Sequence, residues 1–200
     1  MKKVLVGMLV AVGATSVAMA QGNADAGKEL TAVCAACHAA DGNSLAPTFP
    51  KLAGQQEKYL LKQLTDIKSG NRKVTEMTGL LDNLTDQNLA DIAAYFANNS
   101  VVVGQADAAL VEAGKAIYRT GNPKTGVPAC TACHGPTGQG LGSAAFPALS
   151  GQHADYTKSQ LKAFQTQERS NDPANIMRGI AFKMNDREIE AVASYIQGLY

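Results

Sequence analysis

Apolar positions along this chain recur at the three- and four-residue spacing of helices that bury one face. Leu89, Ile92, Ala93 and Phe96 line one side of a helix expected over Asn88 to Asn99. Ile189, Val192, Ala193 and Ile196 reproduce that spacing 100 positions later. Thr85 stands where an N-cap is needed for the first, and Asn185 with Glu188 has the form of a capping box for the second. Tyr59, Leu60, Leu64 and Ile67 predict another amphipathic helix, ended by Ser69-Gly70. Opening helices are expected over Gly27 to Cys37 and Ala108 to Tyr118. The Gly/Pro-rich stretch Gly121 to Pro128 reads as a surface loop. The run Val101-Val102-Val103-Gly104 has strand composition, but a connector pressed against both of its neighbours is the expected reading. With no convincing alternating run elsewhere, the fold class is all-α.

The helical pattern is a duplication. Cys34-Ala35-Ala36-Cys37-His38 returns as Cys130-Thr131-Ala132-Cys133-His134 at an offset of 96, and Phe49 to Gln55 returns as Phe146 to Gln152 at 97. Tyr59 to Leu64 matches Tyr156 to Leu161 at 97, Glu76 to Leu80 matches Ile176 to Ile180 at 100, and Tyr95 matches Tyr195 at 100. A period of about 100 is too long for a solenoid unit of about 20–50 residues, so these are tandem domains. The first twenty residues stand apart. Met1-Lys2-Lys3 is basic, Val4 to Val17 is a short apolar run, and Ala18-Met19-Ala20 is a cleavage-type tripeptide. Some 14 apolar residues fall short of the ~20 that span a bilayer, so residues 1–20 read as an export signal removed on secretion. The expected organisation is 21–100 for the first domain, 101–107 for a linker and 108–200 for the second domain.

Composition removes some function classes. Eighteen basic against seventeen acidic residues give +1, or −1 without the leader, which offers a nucleic acid no basic surface. The halves differ modestly: residues 21–104 carry 7 basic and 9 acidic side chains, residues 105–200 carry 9 and 8. That polarity has the sense needed to orient docking, and scatter over so large a surface explains it equally well. There is no Trp, and aromatics make up 6%, thin for a core built from side chains alone.

Cys-x-x-Cys-His is the attachment signature for covalent c-type haem. Two thiols one helical turn apart add to two vinyl groups on one porphyrin edge, and the adjacent His faces the iron. Three rival readings carry less. A single four-Cys zinc site leaves the two adjoining histidines as coincidence. A redox dithiol follows a strand in an α/β domain, and no such pattern precedes either pair. A structural disulfide across so short a loop removes little chain entropy. Two haems also supply the buried apolar area that halves of this size lack, so the apo-protein is expected to fold poorly.

The iron's sixth position separates carrier from catalyst, because two strong protein ligands leave only electron transfer. After the leader, the chain has three Met: Met77, Met177 and Met184. Met77 and Met177 occupy matching positions, 39 and 43 residues beyond His38 and His134, and each precedes x-Gly-aliphatic. They are the expected axial partners, whereas Met184 matches Leu84 and reads as packing. His153 matches Gln56 and reads as a solvent-facing or hydrogen-bonded side chain. Pro50 and Pro147 lie 12 and 13 residues beyond the two histidines. Their carbonyls are candidates to accept the other ring N–H, and a plain turn proline fits the spacing equally.

These repeated motifs, with Glu76-Met77-Thr78-Gly79-Leu80-Leu81-Asp82 and the closing run Ile189 to Gly198, resemble the dihaem cytochrome c4 family over essentially the whole chain after the leader. The resemblance implies two class I cytochrome c domains about a pseudo-twofold axis, with their haem propionate edges close together. It implies ligation by His38 with Met77 and by His134 with Met177, and favours the carbonyl role for Pro50 and Pro147. It also implies a periplasmic and sometimes loosely membrane-associated carrier, and a monomer is expected. Such a carrier takes electrons from a cytochrome bc1-type complex or other donor and passes them towards a terminal oxidase. A second expectation is the electron-acceptor subunit of a periplasmic dehydrogenase, such as a flavoprotein oxidising sulfur compounds. A dihaem peroxidase is disfavoured, since such enzymes are longer and need one open iron face, while both halves here supply a Met.

Overall fold

A computed structural model describes residues 21–200; the leader expected at 1–20 lies outside the described residues. Four helices form the first half: α1 (Ala24–Leu30), α2 (Ala35–His38), α3 (Glu57–Lys68) and α4 (Asp86–Ala97). Five form the second: α5 (Val111–Thr120), α6 (Thr131–His134), α7 (Ala154–Gln165), α8 (Ile176–Ala181) and α9 (Asp186–Gln197). Among the described residues there are no strands, only the isolated bridges Asn122–Val127 and Leu141–Phe146, and the fold is all-α. No described helix is long and apolar enough to cross a membrane.

Each half rests on a crossing of its first and last helices, α1 on α4 and α5 on α9, with α3 and α7 packed on the same last helices. Glycine makes the crossings close. A Cβ on Gly27 would lie 2.0 Å from the Asp91 carbonyl oxygen, and one on Gly114 would lie 2.2 Å from that of Ala191. The last helices start where their caps dictate. Thr85 accepts from the Asn88 backbone N–H while the Asn88 side chain returns to Thr85, and Asn185 and Glu188 form the same reciprocal box. Leu89, Ile92, Ala93 and Phe96 are buried on α4, as are Ile189, Val192, Ala193 and Ile196 on α9.

The opening helix of the first half is shorter than its pattern predicts. α1 ends at Leu30, because the Thr31 hydroxyl and backbone N–H both turn back to the Lys28 carbonyl. The cysteines therefore sit on a separate turn. The Gly121–Pro128 stretch is also more than a surface loop. Val127 is 3% exposed and joins the core with Tyr118, Met184 and Ile189, and Asn122 donates to the Glu188 carboxylate at 2.6 Å. Local composition marks the turn residues but not the apolar side chain that the turn carries inward.

Residues 101–107 form no helix and no ladder, and they bond to both halves. Val102 N–H donates to Asn43 at 2.8 Å, and the Lys51 ammonium donates to the Val102 carbonyl. Further on, Gly104 N–H reaches the Gln197 carbonyl at 3.0 Å and the Gln197 amide reaches back to Gln105 at 2.8 Å. A Val run reads as strand only if an edge is offered to it; here its polar groups are taken singly by side chains and helix ends.

Candidate functional site

Each half presents the Cys-x-x-Cys-His segment as one helical turn, α2 and α6, with the histidine last. His38 and His134 are buried, at 8% and 7% exposed. Nδ1 of His38 lies 2.9 Å from the Pro50 carbonyl oxygen, and Nδ1 of His134 lies 2.9 Å from that of Pro147. A carbonyl can only accept, so Nδ1 carries the hydrogen and Nε2 is the basic nitrogen. Burial pushes both imidazoles below their ordinary pKa, outweighing the upward pull of the prolyl carbonyls, so both are neutral at pH 7.

The four thiols are unbridged and half-buried. Desolvation pushes the Cys34 thiol up and takes that of Cys130 to about 11, opposite to the depression that makes a redox dithiol reactive. The two pairs also belong to separate cores. Cys34 packs with Leu30, Leu52, Leu60, Leu64 and Ile92, whereas Cys130 packs with Leu149, Leu161, Ile180 and Val192. Among the described residues no three His, Cys, Asp or Glu side chains gather to hold a metal ion, so the four thiols do not make one zinc site. Two unbridged thiols a turn apart, a neutral histidine with Nε2 unengaged and an aliphatic wall suit a covalent porphyrin in each half.

The segments bearing the candidate sixth ligands differ. Met77 ends a 3₁₀ turn (Thr75–Met77) and is half-buried. Met177 lies in α8 and packs against the core that includes Cys130 and Leu161. A left-handed pair, Ala174 and Asn175, precedes α8, and Asp172 clamps the bend by accepting from Arg178 N–H at 3.0 Å and from Arg178 Nε at 2.7 Å. Desolvation works to raise the Asp172 carboxyl, but the Arg178 backbone and guanidinium outweigh it and hold it below the usual carboxylate range. Met184 is 4% exposed in the core beside Ile189. His153 heads α7 and bonds across to Ser44, with Nε2 2.8 Å from the Ser44 carbonyl.

The face between the halves was not legible as a site in the sequence. Gln55 donates to the Ala148 carbonyl at 2.9 Å and accepts from Ala148 N–H at 2.7 Å. Gln152 returns the same pair of bonds to Lys51, both at 2.9 Å. The offset of 97 relates Gln55 to Gln152 and Lys51 to Ala148, so the two glutamines exchange places about a pseudo-twofold axis. The advance signal is one polar residue kept in both copies, Gln55 as Gln152, at the end of the repeated Phe-Pro-x-Leu-x-Gly-Gln segment.

The Cytochrome c family model matches residues 24–100 and again 111–200. The chain is 56% identical over 201 residues to a cytochrome c4 of Pseudomonas aeruginosa, covering 100% of each. A crystal structure of reduced recombinant cytochrome c4 from Pseudomonas stutzeri superposes with a TM-score of 0.88 at 54% identity, covering 90% of this chain and 100% of that one. A thiosulfate dehydrogenase electron acceptor of Stutzerimonas stutzeri is 40% identical over 167 residues, covering 81% of this chain and 76% of its own length.

Proposed function

Because the chain belongs to the cytochrome c family, and within it to the cytochrome c4 group, we propose that it shuttles single electrons in the periplasm towards a terminal oxidase. A cytochrome bc1-type complex or a comparable donor supplies them. The chain carries two covalent haem c groups and is an electron carrier rather than an enzyme. When bound, each haem supplies one Fe(II)/Fe(III) couple.

The protein's own side chains attach, ligate and exclude. Cys34 with Cys37, and Cys130 with Cys133, hold the two groups by thioether bonds. His38 and His134 would offer Nε2, and Met77 and Met177 their thioether sulfurs, as ligands to the two irons. Pro50 and Pro147 fix the tautomer and the ring plane of each histidine, a second contact that keeps the ligand basic and oriented. The aliphatic walls keep water out, so little solvent reorganises when the charge changes.

The observation that carries this reading is the repetition of one local device: a buried histidine with Nδ1 spent on a prolyl carbonyl, beside two unbridged thiols, in both halves. The test is an absorption spectrum of the reduced, exported protein with and without CO. Two c-type haems per chain without a CO shift are expected of closed His/Met sites. A CO shift from either haem would reopen the enzyme reading. A second reading, electron acceptor to a periplasmic dehydrogenase, is favoured by the 40% identity to the thiosulfate dehydrogenase acceptor. Reduction of the protein by a thiosulfate dehydrogenase and thiosulfate, faster than by a quinol-oxidising complex, would move the assignment there.

A further inference from the structure

Each half opens on a small capped turn. In the first, the Asn23 side chain accepts from the backbone N–H groups of Asp25 and Ala26 at 3.0 and 3.2 Å, and its own N–H donates to the Asp91 carboxylate at 2.8 Å. In the second, the Asp107 side chain accepts from Ala109 N–H and its N–H donates to the Ser194 hydroxyl, both at 2.9 Å. What precedes the two turns differs. Asp107 is reached through Gly104 and Gln105, which bond to Gln197. With the leader removed after Ala20, Asn23 is preceded by Gln21 and Gly22 alone.

Those two residues are held unequally. Gly22 is seated on α4: a Cβ there would lie 2.3 Å from the Ala90 carbonyl oxygen and 2.8 Å from the Ala94 Cβ. The chain is therefore fixed from Gly22 onward. Gln21 is exposed, and its backbone carbonyl accepts from the Gln87 amide at 3.5 Å. Its side-chain amide bonds to none of the described residues, so it is at liberty to fold back on its own nitrogen.

We propose that Gln21 is a modification site, where the N-terminus made by leader removal closes on its own side chain to a pyroglutamyl ring. The nucleophile is the Gln21 α-amine, whose ordinary pKa of about 7.7–8.0 leaves part of it unprotonated at neutral pH. Its nitrogen attacks the side-chain Cδ, and a new C–N bond closes the lactam. The bond from Cδ to the amide nitrogen breaks, and that nitrogen leaves as ammonia with the proton shed by the amine. No oxidant, reductant or co-reactant takes part. The ring consumes only the amine and the side chain, so the Gln21 carbonyl keeps its Gln87 contact and Gly22 keeps its seat.

What the ring protects is the cap. A lactam offers an aminopeptidase no free amine, whereas an open end lies two residues from Asn23. Trimming through Asn23 would remove the α1 cap and the Asp91 bond together. Asp91 is 6% exposed, beside the Ile92 and Ala93 of the core, and would be left with the Gln87 amide as its donor. The proposal rests on leader removal after Ala20 and is independent of how the irons are ligated.

The test is a mass map of the N-terminal peptide of the exported holoprotein, taken at harvest, with sequential degradation of the intact chain. The peptide should begin at Gln21 and be lighter by one ammonia. Degradation should be blocked until a pyroglutamyl aminopeptidase removes the first residue and exposes Gly22. A chain that begins elsewhere would overturn the leader reading, and this proposal with it. A chain that begins at Gln21 with its ammonia retained, or lost only on storage, would overturn the proposal alone. Gln21→Ser should give an open terminus and an unchanged haem spectrum; a variant still blocked would place the block elsewhere and overturn the proposal. A broad-specificity aminopeptidase should shorten the variant and spare the wild type, and equal trimming of both would overturn the protective role.

Discussion

The two halves share one scaffold and differ in how they hold it. In the first, the residue after the histidine of the Cys-x-x-Cys-His turn is Ala39, at φ 61° and ψ 163°; in the second it is Gly135, at φ 78° and ψ 160°. Glycine visits that conformation freely, whereas in alanine the Cβ meets the backbone, so the first half stores strain that the second does not. The Met-bearing segments differ in the opposite sense. Met77 sits in a short turn flanked by the exposed acids Glu76 and Asp82, while Met177 sits in a helix braced by Asp172 and flanked by exposed Ile176 and Phe182. The first half is thus the less settled at its histidine turn, and the second depends on an ion pair at its methionine. Duplication preserved the chemistry while letting each copy find its own means of bracing.

The largest expected effect tests the assignment of the methionines themselves. Met177→Ala should abolish the Met–iron charge-transfer band of the second haem and admit CO there, leaving the first haem as it was. Met77→Ala should do the converse, and Met184→Ala should keep both bands while lowering stability by about 2–5 kcal/mol through a core cavity. Loss of a band on changing Met184 would reverse the assignment.

The clamp comes next. Asp172→Asn should weaken the second half by about 2 kcal/mol, since it removes charged acceptors from Arg178, and should loosen only the Met177 band. Acid should do the same. The Asp172 carboxyl titrates lower folded than unfolded, so its contribution is complete above about pH 4 and is lost as the pH falls through the depressed folded value. In an acid titration the Met177 band should therefore go before the Met77 band, and simultaneous loss would count against the clamp.

The smallest effect should be a gain. Ala39→Gly should stabilise the first half by about 1 kcal/mol by relieving the left-handed strain, measured as a rise in the denaturant midpoint. Gly135→Ala should cost the second half a similar amount. If neither moves, the turn relaxes more readily than its dihedral angles indicate.

The sequence by itself determined whatever depends on near neighbours. The helix faces of α3, α4, α7 and α9 follow from apolar spacing, and the Thr85 and Asn185 caps from residues three apart. Haem attachment follows from five consecutive residues, and the duplication from comparing the chain with itself. Local punctuation also misled: Thr31 ends α1 where the pattern ran on to Cys37, and Val127 turns a surface loop into core. Only the tertiary structure decided which groups meet. That Nδ1 of His38 finds the Pro50 carbonyl is settled by the folding of the first half, and that His153 reaches Ser44 and that Arg72 and Arg169 exchange partners, Tyr156 for one and Tyr59 for the other, are consequences of packing one half on the other. The physical reason is one of range. Helix propensity and caps act over three or four residues, whereas a hydrogen bond between residues about a hundred positions apart exists only once apolar burial has closed that length of chain.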